Sequence, residues 1–274
     1  MPQIPAGRNW RFGPASPTTV REQQPKTTMT YRPFHIIGED RPSRWLITAD
    51  HATNTVPPEV NGGDLGLPPE DMDRHIAWDP GSAGIALGLG ELLRAPVVMS
   101  NFSRLVIDPN RGEDDPTLVM KLYDGTIVPA NRGADRAEVE RRLDAYYRPY
   151  HDAVARLAAR HDDTIYVALH SFTRQLRGRA PRPWHIGVLY GRDTRFALPL
   201  LRRLGAEPDL CVGENEPYGG HLEGDSVDRH AIKPGRLNAL IEVRNDLIRT
   251  DSGQRDWAER LAPILEEVLA ATGL

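Results

Sequence analysis

Residues Trp45–Asn54 read WLITADHATN, an apolar, β-branched run that stops abruptly at Asp50, His51 and Asn54, with Val56-Pro57-Pro58 just beyond. Such a run has the composition of a short buried strand, and the proline pair ends it. In open α/β sheets ligands gather outside the carboxyl ends of the strands, so His51 stands where a site is expected. A lone histidine there serves equally well as a loop cap. The same grammar recurs twice, however. Thr164–Ser171, TIYVALHS, is a second β-branched run closing on His170, and Leu237–Arg244, LNALIEVR, is a third that carries Glu242 and Arg244 out of apolar surroundings. Two strand-end histidines and a carboxylate inside an apolar run have the makings of a metal site with its general base.

The segments around these runs read as further strands and helices. Phe34–Ile37, Ala95–Ser100, Trp184–Tyr190 and Leu210–Gly213 are short apolar runs of strand type. Ser82–Leu93 and Arg195–Leu204 read as helices. Ala134–His161 is the clearest helix, because Val139, Leu143, Tyr146, Tyr147, Tyr150, Val154 and Leu157 recur at three- and four-residue spacing. Pro149 predicts a kink or a break within it. Gly253–Ala271 is a closing amphipathic helix with Trp257, Leu261, Ile264, Leu265 and Val268 on its apolar face. Strands alternating with helices predict an α/β fold, a three-layer α/β/α sandwich with a mostly parallel or mixed central sheet. Residues 34–274 are expected to form a single domain. Residues 1–33, rich in Pro, Thr, Gln and Arg without apolar periodicity, are expected to be a flexible N-terminal arm, or an over-extended gene start with Met29 as alternative initiator.

Bulk properties exclude several classes. A net charge of −4 over 274 residues argues against a protein built to neutralise nucleic-acid phosphates. The basic cluster Arg174–Arg182, RQLRGRAPR, reads instead as a solvated loop over a site that takes a small anion. No apolar run reaches membrane-spanning length and the first residues lack the apolar core of a secretory signal, so a soluble, cytoplasmic protein is expected. The single cysteine, Cys211, cannot form an internal disulfide and is expected to be a small buried hydrophobe rather than a nucleophile. Ser171 adjoins His170, but neighbours on a strand point to opposite faces, and no nucleophile elbow or glycine-rich phosphate loop is present.

Taken together, ADHATN (49–54), DMDRHIAWDPG (71–81), SRLVIDPNR (103–111), LHSF (169–172), GENEPYGG (213–220) and LIEVRNDL (240–247) resemble the N-formylglutamate amidohydrolase family, itself similar in fold to the zinc-dependent carboxypeptidases and aspartoacylases. The resemblance implies a zinc-exopeptidase-like fold and a metal, Zn²⁺ or another divalent ion, held by His51 and His170, with Glu242 as general base. For Glu242 the alternative is a buried ion pair with Arg244 or Arg111. Where the carboxypeptidase relatives carry a glutamate three residues after the first histidine, this chain has Asn54, a poor zinc ligand. Asp79 is the expected replacement, with His75 and then Asp73 as alternatives. Asn110-Arg111 resembles the pair that holds a substrate carboxylate, as a planar guanidinium can do bidentately. Arg104 is expected to polarise the scissile carbonyl or hold a second carboxylate, the alternative being ion pairing with Asp108, Asp114 or Asp115. Asn215 and the loop to Tyr218 are expected to line the pocket.

The function implied is hydrolysis of the amide of a small N-acyl amino acid such as N-formyl-L-glutamate, within histidine catabolism. Two rivals stand beside it: a carboxypeptidase or amidase acting on a peptide or cell-wall fragment, and a non-catalytic small-molecule-binding relative. A closed pocket favours the small substrate, an open groove the peptide.

Overall fold

The computed structural model describes residues 31–220 and 222–273. Of the arm expected over residues 1–33, residues 1–30 lie outside the described residues. Residues 31–33 are tied down: the Tyr31 hydroxyl donates to the Asn101 carbonyl, and Asn101 donates to the Arg32 and Pro33 carbonyls at 2.9 Å each.

Among the described residues nine strands form in chain order: β1 (Phe34–Ile37), β2 (Trp45–Ala49), β3 (Val97–Ser100), β4 (Leu122–Tyr123), β5 (Thr126–Ile127), β6 (Ile165–Phe172), β7 (Ile186–Leu189), β8 (Val212–Glu214) and β9 (Asn238–Arg244). Seven of them make one sheet in the order β1-β3-β2-β6-β9-β7-β8. The central four, β3, β2, β6 and β9, are parallel; β1 and β7 run antiparallel to their inner neighbours. Strands β2, β6 and β9 are buried along their whole length, which is why they read as continuous apolar runs.

Alternation along those strands separates the two faces. The α-helices of the described residues are α1 (Pro69–Met72), α2 (Ser82–Leu92), α3 (Arg136–Arg142), α4 (Arg148–Ala158), α5 (Ala197–Gly205) and α6 (Asp251–Thr272). Ile47, Val167 and Ile241 meet α2, α5 and α6 through Leu89, Leu200, Trp257 and Leu261. Leu46, Tyr166, Ala168 and Leu240 meet Tyr147, Tyr150, Val154 and Leu157 on the other side. The result is the three-layer α/β/α sandwich, with a mixed sheet. Among the described residues no helix is long and apolar enough to cross a membrane.

The long helix breaks earlier than its proline suggests. Arg136–Arg142 is α-helical, Leu143–Tyr147 opens into a π turn, and the α-helix resumes over Arg148–Ala158. Pro149 has no N–H to offer the carbonyl four residues back and its ring crowds that carbonyl, so the wider turn forms there. Arg142, on this helix, is buried rather than solvated: it donates to the Val106 carbonyl and the Asn131 side chain at 2.7 Å each and so pins the 105–131 loop. Cys211 is exposed, contrary to expectation. It precedes the edge strand β8, where only its backbone is engaged, paired with His185.

Helices α2 and α6 approach closely at Gly88, where a Cβ would stand 2.6 Å from the Ala258 Cβ. Gly88→Val is therefore expected to destabilise by about 1–3 kcal/mol through overpacking. A urea melt at the wild-type midpoint would show that α6 can move aside.

Candidate active site

The register of the sheet assembles the site. His170 on β6 lies directly opposite Glu242 on β9, so both side chains leave the same face at the carboxyl ends of their strands. His51 follows β2 immediately. Asp79 is delivered by the loop that leads into α2: its N–H donates to the His51 carbonyl at 2.9 Å, and its own carbonyl accepts from the Ser82 hydroxyl at 2.8 Å. The loop carrying Arg104 and Asp108 is fastened by Ser103, which donates to the carbonyls of Thr55 and Ala77 at 2.7 Å each.

His51, Asp79 and His170 are all buried and offer ligand atoms within 4.8 Å of one another. Both imidazoles turn Nδ1 toward the same Asp79 oxygen, at 3.2 Å from His51 and 2.9 Å from His170. Their other nitrogens face separate carboxylates: His51 Nε2 stands 2.7 Å from Asp108, and His170 Nε2 stands 3.4 Å from Asp50. Two imidazoles and a carboxylate are a donor set that suits a divalent cation, and the outer carboxylates supply the partners that orient ligating histidines. The residues present therefore fit a metal.

The electrostatics agree. Burial alone would raise the Asp79 carboxyl, but the two histidines facing it hold it far below the usual carboxylate range. Burial opposes charge on His170 too, yet Asp50 and Asp79 push its pKa well above the ordinary value. Glu242 is the exception. Burial raises its carboxyl to about 7, and Oε2 has no hydrogen-bond partner among the described residues. Arg244 pairs instead with Asp246 at 2.8 Å, and among the described residues no ion pair to Glu242 forms. A buried carboxylate left unpaired beside two histidines is a candidate acid/base.

The cluster opens into a cavity of about 270 Å³, lined also by Arg104, Asn110, Arg111, His75, Tyr123, Tyr218, Leu189 and Leu240. Arg104 forks onto Asp108 at 2.8 and 3.1 Å and stands 3.5 Å from Asp79, so the pairing with Asp108 considered above does form. Arg111 is half-buried and donates to Thr117 and to the Asn110 carbonyl. Of the alternatives to Asp79, His75 lines the cavity but faces Asp124 at 3.5 Å, and Asp73 is exposed beside Asn54. Neither joins the cluster. Asn215 does not line the cavity: its side-chain carbonyl accepts the Tyr190 N–H at 2.9 Å and, with φ at 49°, it shapes the turn that presents Tyr218, Gly219 and Gly220.

Several contributors were not singled out by sequence. Tyr123 enters from the β4–β5 hairpin and lies under the Arg104 guanidinium, 5.5 Å from ring centroid to Cζ. Its signal was present: Asp124-Gly125 is a strong hairpin pair, and both residues adopt positive φ. Asp50 stood at the polar end of its run and Asp108 beside Arg104 in the chain, but nothing local showed which histidine either would face, and Tyr150 read as part of an apolar helix face.

A second histidine pair lies on the same side of the sheet, outside the cavity. His151 and His230 are buried, stacked and 2.8 Å apart between ring nitrogens, packed among Tyr147, Tyr150 and Tyr166. Burial lowers both, His230 to about 4. A histidine depressed in the folded state gives its full stability above the unfolded value near 6.5 and loses it as pH falls toward the folded value. Between pH 6.5 and 4 the depression of His230 is expected to remove about 3 kcal/mol from the unfolding free energy, and His151 acts in the same direction. Urea melts across that range test this; a His230→Gln slope equal to the wild type's would contradict it.

Comparison with known proteins places this geometry in a family. The pattern of the N-formylglutamate amidohydrolase family matches residues 43–249. An N-formylglutamate deformylase of Pseudomonas putida is 26% identical over 253 residues, 82% of this chain and 88% of the relative. A gene product of Agrobacterium tumefaciens of known structure is 32% identical, with a TM-score of 0.84 over 89% of this chain and 98% of its own. The crystal structure of an N-formylglutamate amidohydrolase from Ralstonia eutropha, 22% identical, shares the fold with a TM-score of 0.67 over 87% of this chain and 99% of its own. The match spans all the strands and loops that build the cavity, and the chain belongs to the N-formylglutamate amidohydrolase family.

Proposed function

We propose that this chain is a metal-dependent amidohydrolase that cleaves the amide of a small N-acyl amino acid, with N-formyl-L-glutamate, the compound named for its relatives, as the first substrate to test. The observation that carries the reading is the buried His51–Asp79–His170 cluster beside an unpaired Glu242 in one cavity. A divalent cation such as Zn²⁺ held by those three residues supplies Lewis acidity, which acidifies water and polarises a carbonyl. Glu242 takes the proton of the attacking water and passes it to the departing nitrogen; burial pushes its carboxyl up to about 7 in the metal-free protein, and a divalent cation beside it would draw that value down. Arg111 at the cavity wall holds the substrate α-carboxylate. Arg104, kept charged by Asp108 despite its burial, faces the developing oxyanion.

A cavity of about 270 Å³ lies at the small end of ligand pockets and favours a single acyl amino acid over a peptide. The test is elemental analysis of the purified protein together with release of formate from N-formyl-L-glutamate. Near-stoichiometric metal and turnover are expected, and Arg111→Ala should raise KM about 10- to 100-fold through the lost charged hydrogen bonds. A wild type that takes up no added zinc ends the reading; bound zinc without turnover on any N-acyl amino acid would leave a binding protein.

A further inference from the structure

The turn that closes strand β2 carries more than one contribution to the site. In the β2–β6 register Thr48 pairs with Ala168, so two residues further along each chain Asp50 faces His170. His170 pairs in turn with Glu242. A row of three polar side chains, Asp50, His170 and Glu242, thus crosses the ends of three neighbouring strands. Asp50 is fully buried, and its two oxygens have different surroundings. Oδ1 accepts the hydroxyl of Tyr150, itself fully buried on the helix below the sheet. Oδ2 has no hydrogen-bond partner among the described residues and stands 3.4 Å from His170 Nε2, which is equally buried and equally unpartnered. Two orphaned atoms of complementary chemistry therefore face each other, while the opposite nitrogen of the same ring points into the ligand cluster.

We infer that Asp50, braced by the Tyr150 hydroxyl, is a positioning residue that holds His170 with Nε2–H toward itself and Nδ1 toward the metal. The inference rests on the metal reading above. A buried carboxylate with one unmade hydrogen bond is costly unless it serves a partner, and an imidazole whose outer N–H is fixed by a carboxylate is a stronger and better-aimed ligand. Tyr150 acts one step further out: by saturating Oδ1 from below it turns the carboxylate so that Oδ2 faces the ring. The same arrangement serves His51 through Asp108, but there the carboxylate comes from a loop and is clamped by Arg104. At His170 it comes from the residue directly after β2 and is clamped by a tyrosine from the helical layer, so ligand geometry on this side depends on how the helix packs.

The test uses the full chain, stripped of metal and reloaded with Zn²⁺ or Co²⁺. Affinity is read by chelator competition, geometry by the Co²⁺ absorption bands, and folding by circular dichroism of the metal-free protein. Asp50→Asn, which keeps the shape and removes the charge, is expected to weaken metal binding about 10- to 100-fold and to shift the Co²⁺ bands. Tyr150→Phe should move both in the same direction by less, and the double variant should lose little more than Asp50→Asn alone. A folded Asp50→Asn with wild-type affinity and spectrum overturns the inference. Should Asp50→Asn not fold, Tyr150→Phe, which keeps the buried ring, decides: unchanged affinity and bands overturn it. A wild type that binds no metal removes the parent reading and this one together, whereas metal-binding wild type beside an unaffected Asp50→Asn removes this one alone.

Discussion

Glu242→Gln is expected to be more stable than the wild-type chain at alkaline pH and almost inactive. The activity half follows from its proposed role: loss of the proton acceptor should lower kcat by about 10²- to 10⁴-fold, with KM and metal content little changed. The stability half follows from burial. Glu242 titrates near 7 in the fold rather than at the ordinary 4.5 because burial penalises its charged form. A carboxyl raised in the folded state contributes its full stability below the unfolded value and loses it as pH rises through the folded one. In metal-free protein at pH 8 the charge should therefore cost about 3 kcal/mol, which glutamine avoids. Paired urea melts at pH 4 and pH 8, with a chelator present, should show the two proteins converging in acid and separating in base. Retention of more than a tenth of wild-type turnover would remove Glu242 from the chemistry, and equal stability at pH 8 would mean that the carboxylate is solvated or paired in solution.

Asp79→Ala carries the second large effect. This carboxylate touches both histidines and stands 3.5 Å from Arg104, and one of its oxygens accepts from the Ser171 N–H. Removing it leaves His51, His170 and Arg104 facing one another without the anion that separates them. A loss of about 3–5 kcal/mol is expected, as for other buried ion pairs deprived of one partner. Metal should be lost as well, while His75→Ala and Asp73→Ala keep it, because neither side chain reaches the cluster. Asp73→Ala, at an exposed position, should leave stability within about 0.5 kcal/mol of the wild type. Full metal content in Asp79→Ala together with loss in His75→Ala would reassign the third ligand.

The central part of the fold was legible in the chain. β2, β6 and β9 are buried on both faces, so burial itself imposes unbroken β-branched runs, and the ends of those runs show as sudden polarity at His51 and Ser171. The amphipathic helices show through their spacing for the same reason. The boundaries that moved did so where a local rule met packing: the π turn at Leu143–Tyr147 accommodates Pro149, and the exposed Cys211 precedes an edge strand, which shields it on one side only.

Candidate site residues divide in the same way. His51, His170 and Glu242 stand out in sequence because a polar residue in or at the end of an apolar run is locally anomalous. Asp79 had to compete with His75 and Asp73, since a loop of Asp, His and Pro holds no periodicity to say which side chain turns inward; the hydrogen bond from its N–H to the His51 carbonyl makes that choice. Asn215 matched a motif, yet a positive φ turns its side chain to the backbone of Tyr190. Asp50 and Tyr150 meet across 100 positions of sequence, a contact that no local pattern can announce. Local composition already marks which residues are apolar enough to form the sheet and which polar groups interrupt it. Which of those groups face one another emerges only on folding, because strand register and loop closure are set by long-range packing rather than by neighbours in the chain.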